Sequence, residues 1–286
     1  MPQVRIVTDS CACIPQPLVE EQGIIVVPYY VHVGCKTYRD LVDIQSGPFF
    51  ESLPQARELP KTANPGPGDY LEAYRQAASD ASAVVSVHMT SIGSGAYQSA
   101  LVARQLAQGE LANLRIEVVD TRNVAMCHGW IALEAARVAK EGAALGQVMD
   151  LVRELIPRVR MLQTADTLRY LYMGGRIGRA QHLVASILNI KPIISMEDGV
   201  IVAVGKARSR LGAYQQIVEK TAEAVGRQGR LKVAYLHAAA LDEVRKLRHL
   251  LEERLTPVET LVAELSPALG VHTGPGTVGL CYRLLD

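Results

Sequence analysis

The stretch Ser82 to Leu106, SAVVSVHMTSIGSGAYQSALVARQL, most restricts what this chain can fold into. Ala83 to Val87 is short and almost wholly apolar, as a strand covered on both faces must be, whereas Ala96 onward is rich in helix formers with apolar residues at helical spacing. Between them lie Thr90, Ser91, Gly93, Ser94 and Gly95. Glycines admit a ligand close to the backbone, hydroxyls donate hydrogen bonds, and the first amides of a helix are unpaired at the positive end of its dipole. A strand, a small-residue loop and a helix in that order suit a small anion such as a carboxylate or phosphate. Taken singly, Ser91 or Ser94 would do no more than cap the helix. Their density argues for a site.

The same loop excludes other chemistries. Gln98 stands where a dinucleotide fingerprint has its third glycine, and no lysine follows as in a Walker loop. The glycines flank Ser94 at one residue, whereas a hydrolase nucleophile elbow needs them at two, where Ile92 and Ala96 stand. Ser94, Asp120 and His272 nevertheless occur in the chain order of α/β-hydrolase triads, so a serine esterase is the alternative function.

Composition narrows the class further. Thirty basic against 29 acidic residues leave a net charge of +1, which supplies no bulk attraction to nucleic acid or an anionic membrane. No apolar run reaches the length of a membrane span, and MPQVRIVTDS enters a strand without a signal-peptide core, so a cytoplasmic location is expected. The five cysteines are odd in number and scattered, which predicts buried free thiols rather than a disulfide framework. Cys11 and Cys13 form the one close pair, but nothing local completes a metal site, so neither metal nor cofactor is expected.

The rest of the chain predicts an α/β fold. Strands are expected at Val4 to Val7, Ile24 to Val33, Ala83 to Val87 and Leu114 to Val119, and helices at Leu18 to Gln22, Tyr70 to Ala78, Gly129 to Lys140 and Leu145 to Leu155. Cys35 to Leu59 has no sustained period and reads as a loop with a short helix, and the turn-rich Lys61 to Asp69 follows. Three strands end in polar clusters, Thr8-Asp9-Ser10, Thr90-Ser91 and Asp120-Thr121. That is the pattern of an open, mostly parallel sheet with helices on both faces, whose ligands bind beyond the carboxyl ends of the strands. Asp9 and Asp120 are read as caps of the helices that follow.

Pro157 marks a change of pattern, which predicts an N-terminal α/β domain over 1–156 and a C-terminal α+β domain over 157–286. In the second part strands are expected at Val159 to Gln163, Lys232 to Leu236, Glu259 to Glu264 and Thr277 to Leu284. Pro192 to Met196 and Val200 to Val204 form a hairpin about Asp198-Gly199. Helices are expected at Asp166 to Tyr172, Gln181 to Leu188, Leu211 to Val225 and Leu241 to Leu255, giving a largely antiparallel sheet.

Several of these segments together carry a resemblance. The strand ending TDS at Ser10, KTANPGPGDY from Lys61, the Ser94 loop with GAYQSA, MGGRIGR from Met173, LNIKPII from Leu188, Asp198-Gly199, and HTGPGTVG from His272 resemble, in order and nearly end to end, the DegV family. The resemblance implies a bacterial, non-enzymatic protein that binds a long-chain fatty acid such as palmitate or oleate. Some members of the family act as the acyl-carrying subunit of a two-component fatty acid kinase, whose ATP-binding partner phosphorylates the bound carboxylate, and the resemblance extends that expectation to this chain. Residue by residue it assigns Thr62, Ser94, Gly95 and His272 to the carboxylate, makes Ser91 and Asn64 neighbours of the head group, and turns Arg176 and Arg179 toward the kinase. Gly93 and Ala96 stand where the family usually has Leu and Thr, and Met173 where it has Lys, differences that bear on kinase pairing more than on lipid.

A fatty acid also fits the physical chemistry. Each buried methylene contributes about 0.8 kcal/mol, so the tail supplies the affinity and the head group needs only to be oriented. With 2 Phe and 1 Trp in the chain, aliphatic side chains are the expected lining of an acyl tunnel.

Overall fold

The computed structural model describes residues 3–56, 58–186, 190–226 and 229–285. In chain order the first half runs β1 (Val4–Asp9), α1 (Gln16–Gln22), β2 (Ile25–Val27), β3 (Tyr30–Val33), β4 (Lys36–Arg39), α2 (Ser46–Ser52), β5 (Lys61–Ala63), α3 (Pro67–Ala78), β6 (Ala83–His88), α4 (Ala96–Glu110), β7 (Arg115–Asp120), α5 (Ala125–Lys140) and α6 (Leu145–Leu155). The second half continues with β8 (Val159–Thr164), α7 (Arg169–Met173), β9 (Lys191–Glu197), β10 (Val200–Ala207), α8 (Arg210–Val225), β11 (Arg230–His237), α9 (Leu241–Glu252), β12 (Glu259–Glu264), α10 (Pro267–Thr273) and β13 (Val278–Leu285).

The N-terminal sheet is parallel throughout, in the order β2-β1-β6-β7. Every residue of β6 is buried, so both faces of the sheet are covered, by α3 with α4 and by α5 with α6. Chain order departs from β1 in one direction to β2 and in the other to β6. A crevice therefore opens beyond the carboxyl ends of β1 and β6, where connections diverge and ligands of such sheets bind. The C-terminal sheet has the order β10-β9-β8-β13-β11-β12 and is antiparallel except where β11 meets β12. The protein is thus a parallel α/β unit joined to a largely antiparallel α+β unit.

Helix α5 joins them. It is buried nearly all round, as a helix apolar on every side must be, and packs against β1 and β6 on one hand and β8 and β13 on the other. Trp130, fully buried in its middle, donates its indole N–H to the Cys281 carbonyl at 3.2 Å. Toward its end Glu134 lies 2.5 Å from Arg283 and 2.8 Å from Lys232, and Glu259 on β12 closes the cluster with Lys232 and Arg137.

Several elements differ from the sequence reading. Ile24 to Val33 is two strands, because Pro28 lacks the amide a continuous ladder needs. β2 joins the parallel sheet, while β3 becomes the centre of a three-stranded antiparallel sheet, β4-β3-β5. Part of the segment expected as loop is therefore strand, and its short helix is α2. Cys35, at the β3–β4 turn, is exposed whereas the other cysteines are buried. Asp9 caps as expected, accepting the Cys11 amide at 3.1 Å. Asp120 instead braces the loop beyond β6, accepting from the Ser91 hydroxyl at 2.5 Å and the Arg122 amide at 2.8 Å. His272, expected ahead of a turn, sits in the last turn of α10, which the sequence reading lacked. The helix expected over Gln181 to Leu188 is 3-10 in character over Gly178–Ser186, and Leu188 and Asn189 of the LNIKPII segment lie outside the described residues.

Candidate functional site

A cavity of about 390 Å³ occupies the crevice beyond β1 and β6 and runs between the two sheets. That volume falls in the range of roughly 300–1,000 Å³ typical of small-molecule pockets. Its polar end is built from three directions: Ser94 and Gly95 from the loop into α4, Thr62 from β5, and His272 from α10. Its interior is lined largely by Met, Ile, Leu and Val, among them Met89, Val124, Met161 and Leu171. At the mouth the loop Ser91 to Gly95 and Arg176 border an open surface cleft.

Two hydroxyls dominate the polar end, and each is held by a hydrogen bond within the protein. Ser94 Oγ lies 2.7 Å from the Tyr29 hydroxyl and accepts the Ala96 amide at 3.2 Å. Tyr29 is 5% exposed, and burial with the nearby Asp9 charge holds its phenol far above the ordinary range, so it stays protonated. Either hydroxyl of that pair can donate; in the arrangement where the phenol donates, the Ser94 proton is free to be given to an anion. Thr62 Oγ1 lies 2.9 Å from His272 Nε2. Burial, reinforced by the Arg176 charge, pushes the His272 imidazole down to about 4, so the ring is neutral near pH 7. Its Nδ1 is buried without a hydrogen-bond partner among the described residues, packed so closely on Gly174 that a Cβ there would overlap it. The single ring proton therefore belongs on Nε2, which donates to Thr62 and leaves the Thr62 proton free as well. The site offers two neutral donors and the amino end of α4 to an acidic head group.

Asn64 fixes the spacing of these parts. Its amide donates to the Pro65 carbonyl at 2.8 Å and the Ser99 hydroxyl at 3.1 Å, tying the end of β5 to the first turn of α4. A Cβ on Gly95 would fall 2.9 Å from Asn64 Oδ1, so the glycine is needed for that approach. Over the mouth, Thr90 donates to the Gly199 carbonyl at 2.9 Å, docking the β9–β10 turn onto the loop beyond β6. Asp198 and Gly199 both have positive φ, so the hairpin expected from the sequence turns with type I′ geometry.

Of the residues expected at the site, Thr62, Asn64, Ser94, Gly95 and His272 line the cavity together. Ser91 borders only the outer cleft and is engaged by Asp120. Arg176 is exposed at the mouth, its guanidinium donating to the Gly174 carbonyl at 2.9 Å, and Arg179 donates to the Glu197 carbonyl at 3.2 Å. The hydrogen bonds of an esterase triad are not made: Ser94 pairs with Tyr29, His272 with Thr62, and Asp120 with Ser91. Sequence reading missed Tyr29, for which the only local signal was a tyrosine pair after Pro28 in an otherwise apolar run.

A family model described as "Uncharacterised protein, DegV family" matches residues 3–284. A DegV domain-containing protein of Caldanaerobacter subterraneus subsp. tengcongensis is 32% identical over 283 residues, 99% of either chain. Protein DegV of Bacillus subtilis is 30% identical over 280 residues, 98% of either chain. Among solved structures, a Thermus thermophilus DegV family protein described by its fatty acid binding superposes with a TM-score of 0.93 at 33% identity, covering 99% of this chain and 100% of that one. The Bacillus subtilis DegV structure, described as a fatty acid binding protein, gives 0.89 at 29% identity with 100% of both chains covered.

Proposed function

This chain belongs to the DegV family, and from that premise we propose that it is a carrier that binds one long-chain fatty acid, such as palmitate or oleate. Thr62 and Ser94 donate to the carboxylate, Gly95 lets it approach the start of α4, and His272 aligns Thr62. The observation that carries this reading is one continuous cavity with both hydroxyls at its polar end and aliphatic side chains beyond them. Relatives described as fatty-acid-binding proteins support it. The tail lies between the N-terminal part, 1–156, and the C-terminal part, 157–286, which completes the pocket.

The head-group donors are neutral, so the bound carboxylate keeps its charge without a full counter-ion and remains a nucleophile. Such a carboxylate suits transfer of a phosphoryl group by an ATP-binding kinase partner, with Arg176 and Arg179 on the face that partner would meet. No residue of this chain acts as nucleophile or acid/base catalyst in that scheme.

Mass spectrometry of organic extracts from the purified protein tests the binding: a stoichiometric fatty acid is expected. Thr62→Ala combined with Ser94→Ala should lower its occupancy. Protein that is recovered empty and takes up neither added palmitate nor oleate would overturn the reading.

A further inference from the structure

Pairing in the C-terminal sheet sets one face of it toward the cavity. Gln163 on β8 pairs with Ile194 on β9 and with Gly279 on β13, and Met196 on β9 pairs with Ile201 on β10. Directly paired residues, and residues two apart on one strand, share a face. Met161, Gln163, Ile194, Met196 and Ile201 therefore form one surface, and all of them line the cavity. The intervening Leu162 and Ile193 point the other way into a separate apolar core. Within that lining surface every side chain but one is Met or Ile.

Gln163 is the exception. It is 2% exposed, and its amide has no hydrogen-bond partner among the described residues. Gly279 lies beside it with no side chain, and a Cβ there would stand 2.5 Å from Gln163 Cγ, so the neighbouring strand leaves room for the glutamine to lie along the face. Burying an amide under a hydrocarbon tail costs free energy unless an oxygen meets it. A plain aliphatic carrier gains nothing from a glutamine where its neighbours are Met and Ile.

We propose that Gln163 is a specificity-determining residue that selects acyl chains carrying an oxygen part-way along the tail, the class of hydroxy and keto fatty acids. The amide has both a donor and an acceptor, so a hydroxyl satisfies either of its atoms and a ketone accepts from its nitrogen. A site built to hydrogen-bond a ligand oxygen discriminates against the analogue that lacks it, because the protein's own polar group is then left unpaired. The inference rests on the fatty-acid reading of the cavity.

The test uses the full chain stripped of lipid and a series of octadecanoic acids bearing a single hydroxyl at successive carbons, each competed against stearate and read by native mass spectrometry. The wild-type protein should enrich a narrow group of positional isomers over stearate by about tenfold or more. Gln163→Leu, close to it in size, should bring those isomers to parity while stearate still binds, and Gln163→Met serves should the leucine variant fold poorly. A wild-type protein that ranks no isomer above stearate overturns the proposal, the amide then being served by water alone. So does a preference that survives both substitutions. Failure of every acid to bind, palmitate and oleate included, marks the failure of the carrier reading itself.

Discussion

Thr62 Oγ1 and His272 Nε2 lie 2.9 Å apart although 210 positions separate them in the chain. The hydrogen bond joins β5, an edge of the small antiparallel sheet, to α10, which runs into the last strand of the large one. Behind α10, buried Asp40 accepts the Ala268 amide at 3.0 Å and the Ser10 hydroxyl at 2.6 Å, and Ser10 in turn accepts the Tyr29 amide at 3.0 Å. The Thr62 and Ser94 hydroxyls at the cavity are thus held through one connected set of polar contacts.

His272 makes stability depend on pH in a defined sense. Its pKa falls from the usual histidine value near 6.5 in the unfolded chain to about 4 in the fold. Between those values the unfolded chain binds more protons, so the stability contributed by neutral His272 is fully present above ~6.5 and lost as pH falls toward ~4. Asp40, whose carboxyl burial pushes up to about 6, slopes the opposite way over much of that window. The difference between wild type and His272→Gln cancels the Asp40 part. Urea titrations should show that difference shrinking by about 2–3 kcal/mol from pH 7 to pH 4, and a constant difference would refute the assignment.

Gly95 is required by a neighbour rather than by its own backbone, since its φ of −79° is open to any residue. In Gly95→Ala the new methyl meets Asn64 Oδ1, whose amide two other groups already hold. Thermal unfolding should register a loss of about 1–2 kcal/mol. Adding Asn64→Ala should recover part of it, a non-additivity that marks direct contact.

Thr90→Val keeps the shape of the side chain but removes its hydrogen bond to the Gly199 carbonyl. Global stability should fall by about 1 kcal/mol. Because the bond pins the hairpin turn over the cavity, release of a fluorescent fatty acid should accelerate more than its capture. Equal changes in the two rates would argue against a covering role.

Glu134 is 8% exposed and faces Arg283, Lys232 and Arg137. Glu134→Gln leaves Arg137 and Lys232 to Glu259 and takes the carboxylate partner from Arg283, and removing one partner of a buried charge cluster is costly. Chemical denaturation should show a loss of about 2–4 kcal/mol, with ligand affinity at saturating stability little changed, since the cluster lies at the far end of α5 from the cavity lining.

Much of this protein was legible in residue order alone. The period of apolar residues placed β6, α4, α6 and β12, and the polar clusters closing β1, β6 and β7 marked the end of the parallel sheet where the crevice opens. Those signals are local: a strand's alternation or a helix's stripe is complete within a dozen residues. Asp198-Gly199 likewise specified its own turn.

Contacts between distant segments followed another rule. That Tyr29 would reach Ser94, that Thr62 would meet His272, and that Gln163 would stand alone on an apolar face depend on which strands become neighbours and in what register. The three-stranded sheet about β3 escaped notice because its strands, at most four residues long, are too short to display a period. Local sequence therefore determined the elements and where a ligand would enter. Only the tertiary structure decided which buried polar groups found partners and which face the cavity unpaired among the described residues, because a hydrogen bond's second half belongs to whatever the fold brings within reach.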